Sequence, residues 1–148
     1  MSGQENSESP NVKLMHEWGR GFVEKDIDLI ASHLHRDYRH ITYPRSLGMP
    51  EEGKEQYLQH MKGVFTLWID NESTVNSIIE APGKVIVHVT SKMKTVIGVD
   101  TIRESIYIAQ IVPDENGSLK VKQIEDFTDS KAHLDFVQAV MAKQSRAS

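Results

Sequence analysis

Glu104 in Ile102-Arg103-Glu104-Ser105-Ile106 and Asp126 in Ile124-Glu125-Asp126-Phe127 are carboxylates set among apolar and β-branched neighbours. A carboxyl group held there must find a partner or take up a proton, and its titration then moves toward the working range of an acid–base catalyst. Tyr38 and His40, in Tyr38-Arg39-His40-Ile41-Thr42-Tyr43, and Tyr57 in Lys54-Glu55-Gln56-Tyr57 add polar groups on otherwise apolar faces, of which His40 or Tyr57 could polarise an oxygen. The chemistry indicated is proton transfer by Asp126 or Glu104, assisted by His40 or Tyr57. The alternative for the same residues is a hydrogen-bonded internal network that only fixes the fold.

Other chemistries lack their groups. There is no cysteine, which excludes disulfides, thiolate metal sites and a cysteine nucleophile. His33, His35 and His40 stand without a His-Glu-x-x-His helix, so no metal is expected. Gly19-Arg20-Gly21 lacks the third glycine of a dinucleotide loop, and no Gly-x-Ser-x-Gly elbow or phosphate loop occurs, so no cofactor is expected. With 17 basic against 21 acidic residues in 148, the formal charge of −4 argues against nucleic-acid binding. No apolar run approaches the roughly 20 residues of a membrane span. Met1–Glu8 has neither a basic nor an apolar leader segment, and a cytoplasmic location is the expectation.

The elements that must position these residues follow from periodicity. Residues 1–9 are expected to form a loose tail, 10–142 one domain, and 143–148 a frayed end. Ser9-Pro10 reads as a helix start, with Val12, Met15, Trp18 and Phe22 at helical spacing. A cap at Asp26 opens a second helix through Ile27, Leu29, Ile30 and Leu34, giving two helices in tandem over 10–35. Tyr38–Tyr43 reads as a strand ended by Pro44. Pro50-Glu51-Glu52 marks a third helix, with Tyr57, Met61, Val64, Phe65 and Trp68 on its buried face. Val75–Ile79, Lys84–Val96, Ile102–Val112 and Leu119–Thr128 read as an antiparallel meander, and a last helix starts at Asp129 or Ser130.

This order predicts an α+β fold: a cone-shaped, curved antiparallel sheet covered by three helices from the N-terminal half, with a short C-terminal helix. Alternation puts Val85, Val87, Val89 and Met93 inside and Ile86, His88, Lys92 and Lys94 outside. If the next turn is an even-length hairpin, Glu104, Ile106 and Ile108 join the inner face and Arg103, Ser105 and Tyr107 the outer. A one-residue change in the turn would exchange the two sets. The apolar parity of the last strand changes at Ile124, which a β-bulge near Lys122-Gln123 would explain, sending Asp126 inward.

The element order resembles the nuclear transport factor 2-like superfamily, in particular its SnoaL-like branch, over about residues 11–140. His40-Ile41-Thr42-Tyr43-Pro44, Lys54-Glu55-Gln56-Tyr57, Arg103-Glu104-Ser105 and Glu125-Asp126-Phe127-Thr128 carry the resemblance. The branch more often reads Asn-Glu-Tyr at the third of these and Glu at the position of Asp126. The resemblance implies Glu104 and Asp126 inside the cone, and relatives that include polyketide cyclases, ketosteroid isomerases, scytalone dehydratase and fungal secondary-metabolite isomerases. The expected function is a cofactor-independent isomerase, cyclase or dehydratase acting on a polycyclic or aromatic natural product. Tyr38, Arg39, His60, Trp18 and Trp68 are the expected ligand contacts. Alternatives are a carrier that holds an apolar ligand without turnover, or a scaffold. A homodimer through the outer sheet face, including Ile86, His88 and Tyr107, is the expected assembly.

Overall fold

A computed structural model describes residues 8–146. Helices α1 (Pro10–Val23) and α2 (Ile27–Ser32) are followed by β1 (Leu34–Tyr43), a short 3₁₀ turn (Arg45–Leu47) and β2 (Glu52–Gly53). Then come α3 (Lys54–Leu67), β3 (Trp68–Ala81), β4 (Lys84–Thr95), β5 (Thr101–Pro113), β6 (Leu119–Thr128) and α4 (Ser130–Arg146). The strands form one curved, unclosed sheet in the order β2-β1-β6-β5-β4-β3. This is the expected α+β fold. Of the expected tail at 1–9, residues 1–7 lie outside the described residues, and α4 runs four residues past the expected domain end at 142.

Local chemistry explains the helix starts. The Ser9 hydroxyl accepts from Val12 N at 3.2 Å, with Pro10 in the first turn, and Asp26 accepts from Leu29 N at 3.0 Å. The tandem helices end at Ser32 rather than 35, because Val121 N already donates to the His33 carbonyl at 2.8 Å and Leu34 enters the sheet. The third helix begins at Lys54, not Pro50. Glu52 and Gly53 pair with His40 and Arg39 instead, and the Gln56 side chain caps the helix by accepting from Gly53 N at 3.1 Å. Trp68 belongs to β3, opposite Thr95, so that strand begins seven residues ahead of the expected Val75.

Strands β3 to β6 form the expected antiparallel meander, but β1 runs parallel to β6, with His40 beside Ile124 and Thr42 beside Asp126. An all-antiparallel sheet is thereby corrected. After β1 the chain turns through β2 and crosses the sheet along α3 to begin the meander at the opposite edge. Alternation of side chains is the same in parallel and antiparallel pairs, so the sequence pattern carries no record of that direction.

The sheet's inner face is filled unevenly. Ile30, Leu34, Val85, Ala109, Val121 and Ile124 are packed to near-zero exposure where α2 meets the strands. Toward the other ends of β4, β5 and β6, the inner face carries Ser91, Arg103, Ser105, Asp126 and Thr128. The shift from Gln110 opposite Gln123 to Ile111 opposite Val121 leaves Lys122 as an extra residue, so the bulge falls where the parity change requires it.

Gly21 marks the tightest approach between helices: a Cβ there would lie 2.5 Å from Ile30 Cγ1. Gly21→Ala is expected to destabilise the fold by about 1–3 kcal/mol. Gly63→Ala, in the interior of α3 with open space around it, is expected to stabilise by up to about 1 kcal/mol. Urea midpoints of the two variants should therefore move in opposite directions.

Candidate active site

Between the helices and the inner sheet face lies a cavity of about 470 Å³. Its apolar wall includes Phe22, Met61, Val64, Val87 and Val89, and α4 contributes His133, Phe136 and Val137. Of the expected site residues, His40, Tyr57, His60, Asp126, Trp18 and Trp68 line it. Tyr38 is 1% exposed and stands behind that wall, while Arg39 faces outward and pairs with Glu51 at 2.8 Å.

Glu104 is not among them. Val89 pairs with Ser105, Ser91 with Arg103 and Met93 with Thr101, so Glu104 lies on the outer face. Its carboxylate is exposed there, 3.7 Å from His88. The expected even-length turn is corrected by the segment after Thr95. Thr95 Oγ1 accepts from Val99 N at 3.0 Å and donates to Val99 O at 2.7 Å, and Gly98 takes a φ of +76°. That knot holds an odd number of residues between Met93 and Thr101, which exchanges the two faces of β5. Tyr107, expected outside, turns inward to pack edge-on against Trp18 at 5.8 Å. Arg103, Ser105 and Tyr107 enter the cavity as a set that the even-length turn excluded.

At the heart of the site is a chain of polar contacts. His40 is buried; its Nδ1 lies 2.8 Å from the Tyr38 hydroxyl and its Nε2 3.2 Å from Asp126 Oδ2. The Tyr57 ring stacks on the imidazole at 4.4 Å. Burial pushes the Tyr38 hydroxyl well above its ordinary pKa, with the Asp126 and Glu52 carboxylates adding to it and a hydrogen bond from Tyr57 opposing it. Tyr57 and Tyr107 are raised by burial too. These phenols therefore remain neutral donors, and one arrangement of protons accounts for the two contacts of His40. Tyr38 donates to His40 Nδ1, and His40 Nε2–H donates to the Asp126 carboxylate.

Among the described residues, five buried polar side-chain atoms have no partner: Trp18 Nε1, His33 Nε2, Asn71 Oδ1, Arg103 Nε and Asp126 Oδ1. Every one of these except His33 belongs to a cavity-lining residue. Buried polar atoms in folded proteins are overwhelmingly paired, so four unpaired atoms on residues lining one cavity single these residues out. Asn71 had no signal in sequence, because Asp70-Asn71-Glu72-Ser73-Thr74 reads as a polar loop. It is instead part of β3, an edge strand whose inner positions face the cavity. His60 bonds Glu52 at 3.1 Å on the same lining, and no group of three or more potential ligands for a metal occurs among the described residues. None of their helices is long and apolar enough to cross a membrane.

The family model of the SnoaL-like domain matches residues 15–119. The chain belongs to the SnoaL-like family. Similar solved structures include AusH from Aspergillus nidulans, with 23% identity, a TM-score of 0.71, and coverage of 84% of this chain and 86% of that one. PrhC from Penicillium brasilianum has 13% identity and a TM-score of 0.79, covering 91% and 90%. The BvnE pinacolase from Penicillium brevicompactum has 19% identity and a TM-score of 0.74, covering 95% and 99%. At these identities the likeness establishes the fold. No curated protein matches significantly in sequence.

Deleting the Tyr38 hydroxyl tests the internal chain. Tyr38→Phe keeps the ring but leaves His40 Nδ1 buried without a partner, at an expected cost of about 1–3 kcal/mol. A lower urea midpoint with unchanged denaturant slope is the expected reading.

Proposed function

We propose that this SnoaL-like protein is an acid–base enzyme of the isomerase, cyclase or dehydratase kind, acting on an aromatic or polycyclic natural product with Asp126 as the proton-transfer group. The observation that carries this reading is the asymmetry of Asp126. Its Oδ2 is held by His40, whereas its Oδ1 is buried without a partner on a residue that lines the cavity. A carboxylate fixed by one oxygen and free on the other is oriented to take a proton from a carbon or hydroxyl acid of the ligand and return it elsewhere. His40 and Tyr38 act as positioning residues. The step moves a proton and no electrons, so it calls for no redox cofactor. The family match and the likeness to a pinacolase fold support this class of reaction.

Asp126→Asn preserves volume and removes proton transfer. Its single-turnover rate on a polycyclic substrate is expected to fall by about 10²–10⁴, with ligand affinity and melting temperature nearly unchanged. Full activity in the folded variant would remove Asp126 from the mechanism. A carrier without turnover is the second reading, favoured by the apolar wall of Phe22, Val64 and Val87. Tight binding with no turnover in wild type would establish it.

We further propose that the outer sheet face mediates a homodimer. Ile79, Ile106 and Phe127 are 59%, 43% and 42% exposed there, in rows with the half-buried Ile86, Ile108 and Tyr43. Tyr107, facing inward, takes no part. Light scattering should give twice the 16.8 kDa chain mass, and Ile106→Glu should return it to the monomer value.

A further inference from the structure

Arg103 is the charged side chain for which the proton transfer at Asp126 has no use. It lines the cavity from β5, its Nε is buried without a partner, and its guanidinium forms no ion pair among the described residues. Among the exposed arginines, Arg20 holds Glu17 and Glu24, Arg36 holds Glu115 and Arg39 holds Glu51, whereas Arg45 lies over the Tyr43 ring. Arg103 is set apart by its place: it lies on the cavity wall with its Nε buried, where water cannot stand in for a missing partner. Burial pushes its guanidinium below the ordinary value, with Tyr107, Asp126 and Asp129 acting in the opposite sense. It remains a cation regardless, because arginine does not give up its proton in proteins. A half-buried cation without a partner is costly, and that cost is relieved when an anion is bound.

The surroundings define where that anion would sit. On the inner face, Tyr107 stands opposite Asp126 and Ser105 opposite Thr128, and Arg103 lies one inner position further along β5. Arg103 and Tyr107 are thus separated by roughly 13 Å of strand. From α4 comes His133, which burial and then Arg103 itself push below its ordinary value, with Asp126 opposing. The cavity's other charged groups include the carboxylates of Asp126 and Glu52, which would repel an acid.

We propose that Arg103 is the recognition group for an acidic ligand, a ring-containing apolar carboxylate whose acid group is clasped by the guanidinium while its ring system extends along the inner face of the sheet toward Asp126. The planar fork of arginine matches a carboxylate through two parallel hydrogen bonds, which a lysine cannot reproduce. Arg103 stands two inner positions along β5 from Tyr107, the residue opposite Asp126, so a ring system anchored at the guanidinium has the inner face between them to extend along. This inference rests on the reading of the cavity as the ligand site and adds the class of ligand to it.

The test is calorimetric titration of the full chain at pH 7.5 with 2-naphthoate and its neutral counterpart 2-naphthamide. Wild type is expected to bind naphthoate at least about tenfold more tightly than naphthamide. Arg103→Gln should abolish or invert that preference while leaving naphthamide affinity within about threefold. Arg103→Lys, which keeps the charge and loses the fork, should retain only part of it, and carries the test if the glutamine variant does not fold. Equal affinity of wild type for the two probes, or a preference that survives both substitutions, overturns the role of Arg103 and leaves the proposed catalysis standing. Failure of wild type to bind either probe overturns the ligand class and the reading of the cavity together.

Discussion

A carboxylate inside an apolar sheet must be held by something, and here it is held by a histidine that is itself held by a tyrosine. Asp126, His40 and Tyr38 come from two neighbouring strands that run parallel, so the register of β1 against β6 sets their separation. Placing Thr42 beside Asp126 brings His40, two residues earlier on the same face, within reach of the carboxylate. A slip of one residue would send His40 to the outer face and leave Asp126 buried without its donor. The bulge at Lys122, the parallel pairing and the burial of two phenols above their ordinary pKa all serve that contact.

The two faces of the sheet divide the remaining work. Inner positions of β4, β5 and β6 begin as core at Val85, Ala109 and Val121 and turn polar as they approach Ser91, Ser105 and Thr128. Outer positions carry isoleucines beside charges. Which residues land on which face of β5 depends on the short segment after Thr95, where one side chain bonds both backbone groups of Val99.

Much of this was legible in sequence. Helical spacing located α1 and α2, parity located the inner face of β4, and the break in parity at Ile124 located the bulge. Asp126, His40 and Tyr57 could be picked out because polar residues stood on otherwise apolar faces. Glu104 was misplaced because the parity of a turn is set by its local hydrogen bonds, and a threonine that ties its own loop has no distinctive spacing. Arg103 and Tyr107 were misplaced with it. Asn71 was missed because an edge strand bordering a cavity is polar on both faces and so has no alternation to detect. The parallel sense of β1 was missed because alternation is blind to direction.

The uneven filling of the sheet has a consequence for how such a protein can change over generations. Where side chains interlock around Ile30 and Val85, a substitution forfeits packing and costs the fold stability. Around Ser91, Thr128 and Val89 the walls border the cavity, and a residue altered there gives up less contact energy while reshaping the hollow it borders. The same strands thus carry a tightly packed anchor at one end and a freely revisable mould at the other, so that a new ligand shape can be accommodated without renegotiating the stability of the molecule.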